Sequence, residues 1–211
     1  MTLTYPYPLD FLADCLMGDE IKLDLRRQDE LSGSGDGRYW SAELSRPLWT
    51  VSIALYSRSV AHARAVNAKV FALDGTRRQM QWANPYYKPA AGSDGLGSVT
   101  LSAIASDRGR ISLAGLPARR DVAAGDYLSI PYGAGRLYFG VFAESRIATA
   151  AGAINNIEVR PYLPLGISAG AAIELEMPMM NAIIPPDGFT PFSLYKNRWG
   201  RSASIALLQK P

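Results

Sequence analysis

The chain has 211 residues, 48% of them apolar and 19% charged, a balance that allows one large domain or two small ones around a real core. Its net charge of +3 comes from scattered pairs, Arg26 with Arg27, Arg77 with Arg78 and Arg119 with Arg120, and not from the single basic face that a dedicated DNA binder needs. One cysteine, Cys15, excludes an intrachain disulfide and a cysteine zinc site, and one histidine excludes a His/Cys metal cluster.

Residues 1–20 are proline-rich, with Tyr5-Pro6-Tyr7-Pro8, and carry a short apolar patch around Cys15. They read as an arm that orders on a partner. No basic region precedes that patch, and no apolar run reaches the ~20 residues needed to span a bilayer. A soluble protein made in a cytoplasm is expected, with no membrane insertion.

Ile21, Leu23 and Leu25 alternate with Lys22, Asp24 and Arg26, which places the apolar side chains on one face of a strand. Ser32-Gly33-Ser34-Gly35-Asp36-Gly37 has too much backbone freedom to pack and reads as a mobile hairpin loop. Trp40, Ala42 and Leu44 then alternate as a second strand, Pro47 interrupts, and Trp49, Val51, Ile53 and Leu55 alternate as a third. Three half-buried strands in succession make a meander with one apolar face.

Residues 59–73 supply its cover. Ser57 or Ser59 can cap a helix, Ala63, Val66, Val70 and Leu73 recur at helical spacing, and Asp74-Gly75 ends it. A strand at 79–83 follows. Asn84 to Gly97 carries two prolines, three glycines and Tyr86-Tyr87, and reads as a linker or exposed loop with a domain boundary at 90/91.

From 98 to 177 short alternating strands recur between turn signals, the pattern of a small barrel or sandwich. Two further strands fit in 178–211 and are placed to complete the first sheet. The expected fold class is mainly β (α+β). It consists of an N-terminal antiparallel β-sandwich or meander under one helix, made of 21–90 with 178–211, and an inserted all-β barrel-like domain at 91–177.

The same residues offer little for catalysis. His62 lies among alanine and valine in the expected helix and reads as structural. Carboxylates such as Asp107, Asp126, Glu144, Glu158, Glu174 and Glu176 fall at turns or on polar strand faces, and nothing in their spacing selects a pair. Gly33, Gly35 and Gly37 lack the following helix and lysine of a phosphate cradle. Neither an enzyme nor a cofactor is expected. Aromatics in loops or on polar strand faces, Tyr39, Tyr86, Tyr87, Tyr195 and Trp199, suit a protein interface, a sugar platform or burial under a loop. The candidate interface residues are Ser32, Gly33, Ser34, Gly35, Asp36, Gly37, Tyr86, Tyr87, Tyr195 and Trp199.

One segment carries a resemblance. Leu116-Pro117, Val122-Ala123-Ala124-Gly125-Asp126-Tyr127-Leu128-Ser129-Ile130, Gly135-Arg136-Leu137-Tyr138, Arg160-Pro161 and Gly170-Ala171-Ala172-Ile173-Glu174-Leu175 resemble a recurrent stretch of phage tail proteins. With the meander, the single helix and the inserted β domain, the chain resembles distal tail proteins of long-tailed bacteriophages, prophages and gene transfer agents. That resemblance implies a structural protein of the virion tail tip, assembled in the bacterial host cytoplasm. It implies a ring of identical chains, sixfold in the usual case, joining the tail tube protein to the hub and baseplate proteins. DNA would pass only transiently through the channel, the inserted domain would project outward toward fibres or other tip proteins, and the tape-measure protein is a further partner of the chain. No catalytic residue is implied. The loop at 32–37 and the arm at 1–20 are the segments placed to reach a neighbouring ring. Two other readings stay open: a carbohydrate-binding module gripping a glycan through tyrosine and tryptophan, and a hydrolase with an unrecognised carboxylate pair.

Overall fold

The apolar alternation that begins at Ile21 does continue as a strand, but a far longer one than the sequence pattern marks out. The computed structural model describes residues 4–13, 20–33, 35–195, 198–199 and 203–211. Two compact units emerge, one of Met1–Met80 with Ala182–Lys210 and one of Gln81–Asn181. The chain therefore crosses between them at 80/81 and 181/182, and not at 90/91 and 177/178.

The first unit starts with a segment that is already docked. Tyr7 is buried, bridges Met80 in parallel and donates its backbone N–H to the Gln79 carbonyl at 2.9 Å. Its ring stacks on Phe11, with centroids 3.5 Å apart, and one 3-10 turn at Leu9–Leu12 buries Leu12. Lys69 Nζ donates to the Phe11 carbonyl at 3.0 Å. The expectation of an arm that orders only on a partner is thus corrected for residues 4–13: two large apolar side chains give them enough buried surface on their own unit. Cys15 lies outside the described residues.

Strands β1 (Ile21–Gly33) and β2 (Tyr39–Leu55) pair antiparallel along their whole length. The expected break at Pro47 does not occur. Arg26 opposes Leu48 and Gln28 opposes Ser45, so two residues of β2, Arg46 and Pro47, face one of β1. A bulge leaves one amide position out of the ladder, and that is where a proline without an N–H fits inside a strand. The three-strand meander is therefore one long hairpin.

Helix α1 (Val60–Phe71) has the expected cap: the Ser59 side chain accepts the His62 N–H at 3.1 Å. His62 Nδ1 in turn accepts the Arg58 N–H at 3.2 Å, so the histidine serves the capping turn. Ala63, Val66, Val70 and Leu73 are all buried. Asp74 and Gly75 follow with φ of 52° and 62°, the left-handed pair that turns the chain away. A short strand β3 (Met80–Ala83) comes next.

In the second unit, β4 (Thr100–Ile104), β5 (Arg110–Ala114), β7 (Tyr127–Tyr132), β8 (Arg136–Phe142) and β10 (Ile154–Arg160) form one antiparallel sheet in the order β4-β5-β10-β8-β7, and β6 (Asp121–Val122) pairs with β9 (Arg146–Ile147). The sheet curls, and residues 171–174 join its two edges. The Leu101 N–H donates to the Ala171 carbonyl at 2.9 Å on the β4 side, while Ser129 and Glu174 exchange both backbone bonds, at 2.9 and 2.8 Å, on the β7 side. The sheet thereby covers part of its two edges. It encloses one core, in which Leu101, Ile111, Leu128, Phe142, Ile157 and Ile173 are all buried.

The return to the first unit brings β11 (Met179–Ile183), β12 (Phe189–Thr190), a small hairpin of β13 (Leu194–Tyr195) and β14 (Arg198–Trp199), and β15 (Ala203–Gln209). They complete a six-stranded sheet in the order β1-β2-β15-β11-β3, with β12 also on β15. β15 lies along β2 only from Thr50 to Leu55. Just beyond, the Trp49 N–H donates to the Gln209 side chain at 3.2 Å. Among the described residues the fold is mainly β with a single α-helix, as its alternation and its one amphipathic stretch predict.

Candidate interaction ribbon

Past Trp49, β2 loses β15 as a neighbour and β1 is an edge strand, so the hairpin runs on as a two-stranded ribbon. Nothing described covers it: residues 26–46 are all exposed apart from the undescribed Ser34. Trp40 is 72% exposed, Tyr39 71%, Leu31 67% and Leu44 65%. This corrects the reading of Trp40, Ala42 and Leu44 as a half-buried strand face.

Register sorts the ribbon into two faces, because directly opposed residues of an antiparallel pair point the same way. Trp40 opposes Ser32 and Ala42 opposes Glu30, making one face. Tyr39 opposes Gly33, Ser41 opposes Leu31 and Glu43 opposes Asp29, making the other. Leu44 sits at a second irregularity, between the Gln28–Ser45 and Asp29–Glu43 pairs. Two bulges in one ribbon raise its twist and stop an outside strand from pairing evenly along it.

The tip is built by small residues. Gly37 has φ of 83°, and the Arg38 N–H donates to Asp36 Oδ1 at 3.2 Å, closing the turn. The Tyr39 ring lies over Gly33, where a Cβ would come within 3.1 Å of it. A glycine opposite an aromatic lets the ring cover the backbone. Asp29 and Glu43 face each other as like charges, and Arg27 holds Asp29 at 2.7 Å.

The candidate residues do not form one site. Ser32, Gly33, Gly35, Asp36 and Gly37 lie at the ribbon tip, and Ser34 lies outside the described residues. Tyr86 is exposed and belongs to the second unit. Tyr87 is not presented as an exposed aromatic: its hydroxyl accepts the Tyr127 N–H at 3.1 Å and donates to the Tyr127 carbonyl at 3.4 Å. Burial, then the nearby Asp126 carboxylate, pushes its phenol far above the ordinary range. Asp126 itself accepts the Ala90 and Ala123 N–H groups at 3.0 and 3.1 Å, which ties the 84–97 stretch into the barrel. Tyr195 and Trp199 lie on the β13–β14 hairpin, and their side chains fall outside the described part of the structure. The residues that sequence reasoning missed are Leu31, Trp40 and Leu44. Leu31 was visible as an apolar residue beside the glycine-rich tip, where a packed strand would have ended.

The carboxylates hold other groups. Glu144 Oε1 accepts from Arg146 Nε at 3.1 Å and from the Glu158 N–H at 3.0 Å, and the arginine, then the N–H, draws its pKa below the usual range. Asp107 is lowered by the Gly109 N–H and then by Arg110. A general acid needs the opposite shift. Glu174 Oε1 accepts the Glu176 and Met177 N–H groups at 2.8 and 3.0 Å, which makes it the cap of a turn. Among the described residues no group of three His, Cys, Asp or Glu side chains is gathered, and no helix is long and apolar enough to cross a membrane. In the comparisons with known proteins, no family model matches the chain and no curated protein matches it.

Proposed function

We propose that the chain is a structural subunit of a phage tail tip, a ring-forming protein that joins the tail tube to the hub and lets DNA pass through its channel. Its partners on this reading are copies of itself, the tail tube protein, hub and baseplate proteins, the tape-measure protein and fibres. It is not an enzyme on this reading, and it acts at the tip of the virion.

The observation that supports the reading is the uncovered ribbon. A two-stranded hairpin is marginal in water by itself. This one carries Trp40, Tyr39, Leu31 and Leu44 into solvent. Burying each such side chain is worth about 1.5–3 kcal/mol, so the ribbon gains most of its order in an assembly. Large apolar side chains exposed on both faces of one ribbon mark it as an interaction surface. The second unit, with its own sheet and core, fits a separate module, and the resemblance of residues 116–175 to phage tail proteins supplies the biological setting.

The test is the double variant Trp40→Ser with Leu44→Ser. Both side chains are exposed, so the melting temperature should stay within about 3 °C of the native value, in line with small surface effects. Assembly, followed by sedimentation, should be lost. Native-like assembly by the variant would remove the ribbon from the interface.

A further inference from the structure

We infer that, in the free protein, the Trp40 face of the ribbon binds the same face of a second copy, about a two-fold axis through the Gln28–Ser45 pair. The inference rests on the self-assembly reading above and adds a contact to it.

The exposed ribbon, residues 26–46, carries Arg26, Arg27, Arg38 and Arg46 against Asp29, Glu30, Asp36 and Glu43. It is neutral, so net charge draws it to neither an acidic nor a basic partner. The order of its charges selects the occupant. On the Trp40 face β1 presents Arg26, Gln28 and Glu30 in turn, and β2 presents Leu48, Ser45 and Ala42 opposite them. The Ser45 hydroxyl donates to Gln28 Oε1 at 2.9 Å, which fixes the middle of the row. Arg26 and Glu30 stand two residues to either side of it. They lie about 13 Å apart along the strand, too far to reach each other. Both are exposed, and among the described residues neither has an ion-pair partner.

A face whose two free charges are opposite in sign and symmetric about its centre is complementary to itself. A second copy, turned end for end about the Gln28–Ser45 pair, lays its β1 antiparallel over β1 of the first. Arg26 of each copy then meets Glu30 of the other, so one contact makes two ion pairs. The same operation sets Ala42 against Leu48, a small side chain against a large one. Trp40, which opposes Ser32, falls against Thr50, which opposes Asp24. Asp24 falls against Ser32, so no like charges face each other. Leu48 and Thr50 are half-buried at the root of the ribbon and give the indole a packed surface to lie on. A patch that serves both partners makes an isologous contact, the commonest kind between identical chains. The opposite face lacks this match, because Arg27 is already held by Asp29 at 2.7 Å. Leu31 and Tyr39 on that face are left for the ring contact, and pairing two rings doubles the copy number that the ring reading alone gives.

Charge reversal tests the pairing, followed by sedimentation velocity over a concentration series. Glu30→Arg and Arg26→Glu each turn both ion pairs into repulsions. Each should weaken the pairing about 100-fold, which is about ten-fold for each ion pair. An equimolar mixture of the two variants should pair within about three-fold of native strength, because one chain then presents only positive charge at the two positions and the other only negative. Both positions are exposed, so melting temperatures within about 3 °C of native show that the variants fold. A native protein that assembles while the mixture stays as weak as either variant alone overturns the pairing and leaves the ring reading standing. So does a single reversal without effect. Native dimers that grow no further, with the mixture restored, uphold the pairing and overturn the ring. A native protein that stays monomeric overturns both.

Discussion

Val66→Asp is expected to lower the melting temperature of the protein by about 20 °C or to prevent the first unit from folding. Val66 is 1% exposed at the centre of the α1 stripe, between Ala63 and Val70, which are equally buried. A carboxylate there has no partner to pair with and must either stay charged in the core or take up a proton. A single substitution of this kind costs about 4 kcal/mol or more, against a total stability of about 5–15 kcal/mol. Thermal unfolding followed by circular dichroism measures it. A melting temperature unchanged from native would mean that α1 does not hold the core of its unit. Arg64→Glu on the outward face of the same helix serves as the control, because it should leave the melting temperature within about 3 °C.

The second large effect is expected in the barrel. Gly152 has φ of 73°, and a Cβ there would run into the Leu116 carbonyl oxygen. Neither side can yield cheaply. The Leu116 N–H donates to the Gly152 carbonyl at 3.0 Å, and the Gly152 N–H donates to the Thr149 carbonyl at 3.0 Å. Gly152→Ala therefore combines left-handed strain of roughly 1–2 kcal/mol with a backbone clash, for a total of about 3 kcal/mol or more. Gly125→Ala separates the two terms. Gly125 has φ of 96° but open space where the Cβ would go, so only the conformational part should appear. Urea unfolding midpoints of the two variants rank them directly. Equal losses at the two positions would mean that the Leu116 turn gives way.

Much of this architecture can be read from the residues. Ser59, the Ala63-Val66-Val70-Leu73 spacing and Asp74-Gly75 mark the helix, because caps and periodicity are local properties. The barrel strands are marked in the same way by short alternations between turns. The ribbon escaped for a physical reason. Period-2 alternation says which side chains share a face, and Trp40, Ala42 and Leu44 do alternate, but it does not say whether another layer lies against that face. What leaves them bare is β15 stopping at Thr50 on its neighbour, a fact about residues more than 150 positions away. Pro47 misled in the same sense: read alone it ends a strand, but opposite Arg27 it occupies a bulge. Tyr87 reads as a loop aromatic because its hydrogen-bond partner Tyr127, and the Asp126 carboxylate near it, lie about forty residues on. The ribbon's two faces and their charges depend on pairing register, which no single strand contains.

The mass of the native protein in solution distinguishes a ring from a single chain. Multi-angle light scattering on the purified chain, at several concentrations and at low salt, measures it. The ring reading predicts a discrete multiple of the 22.9 kDa chain, six copies in the sixfold case, that does not grow further with concentration. A species of 22.9 kDa at every concentration, with Trp40 still quenchable from solvent, would contradict it.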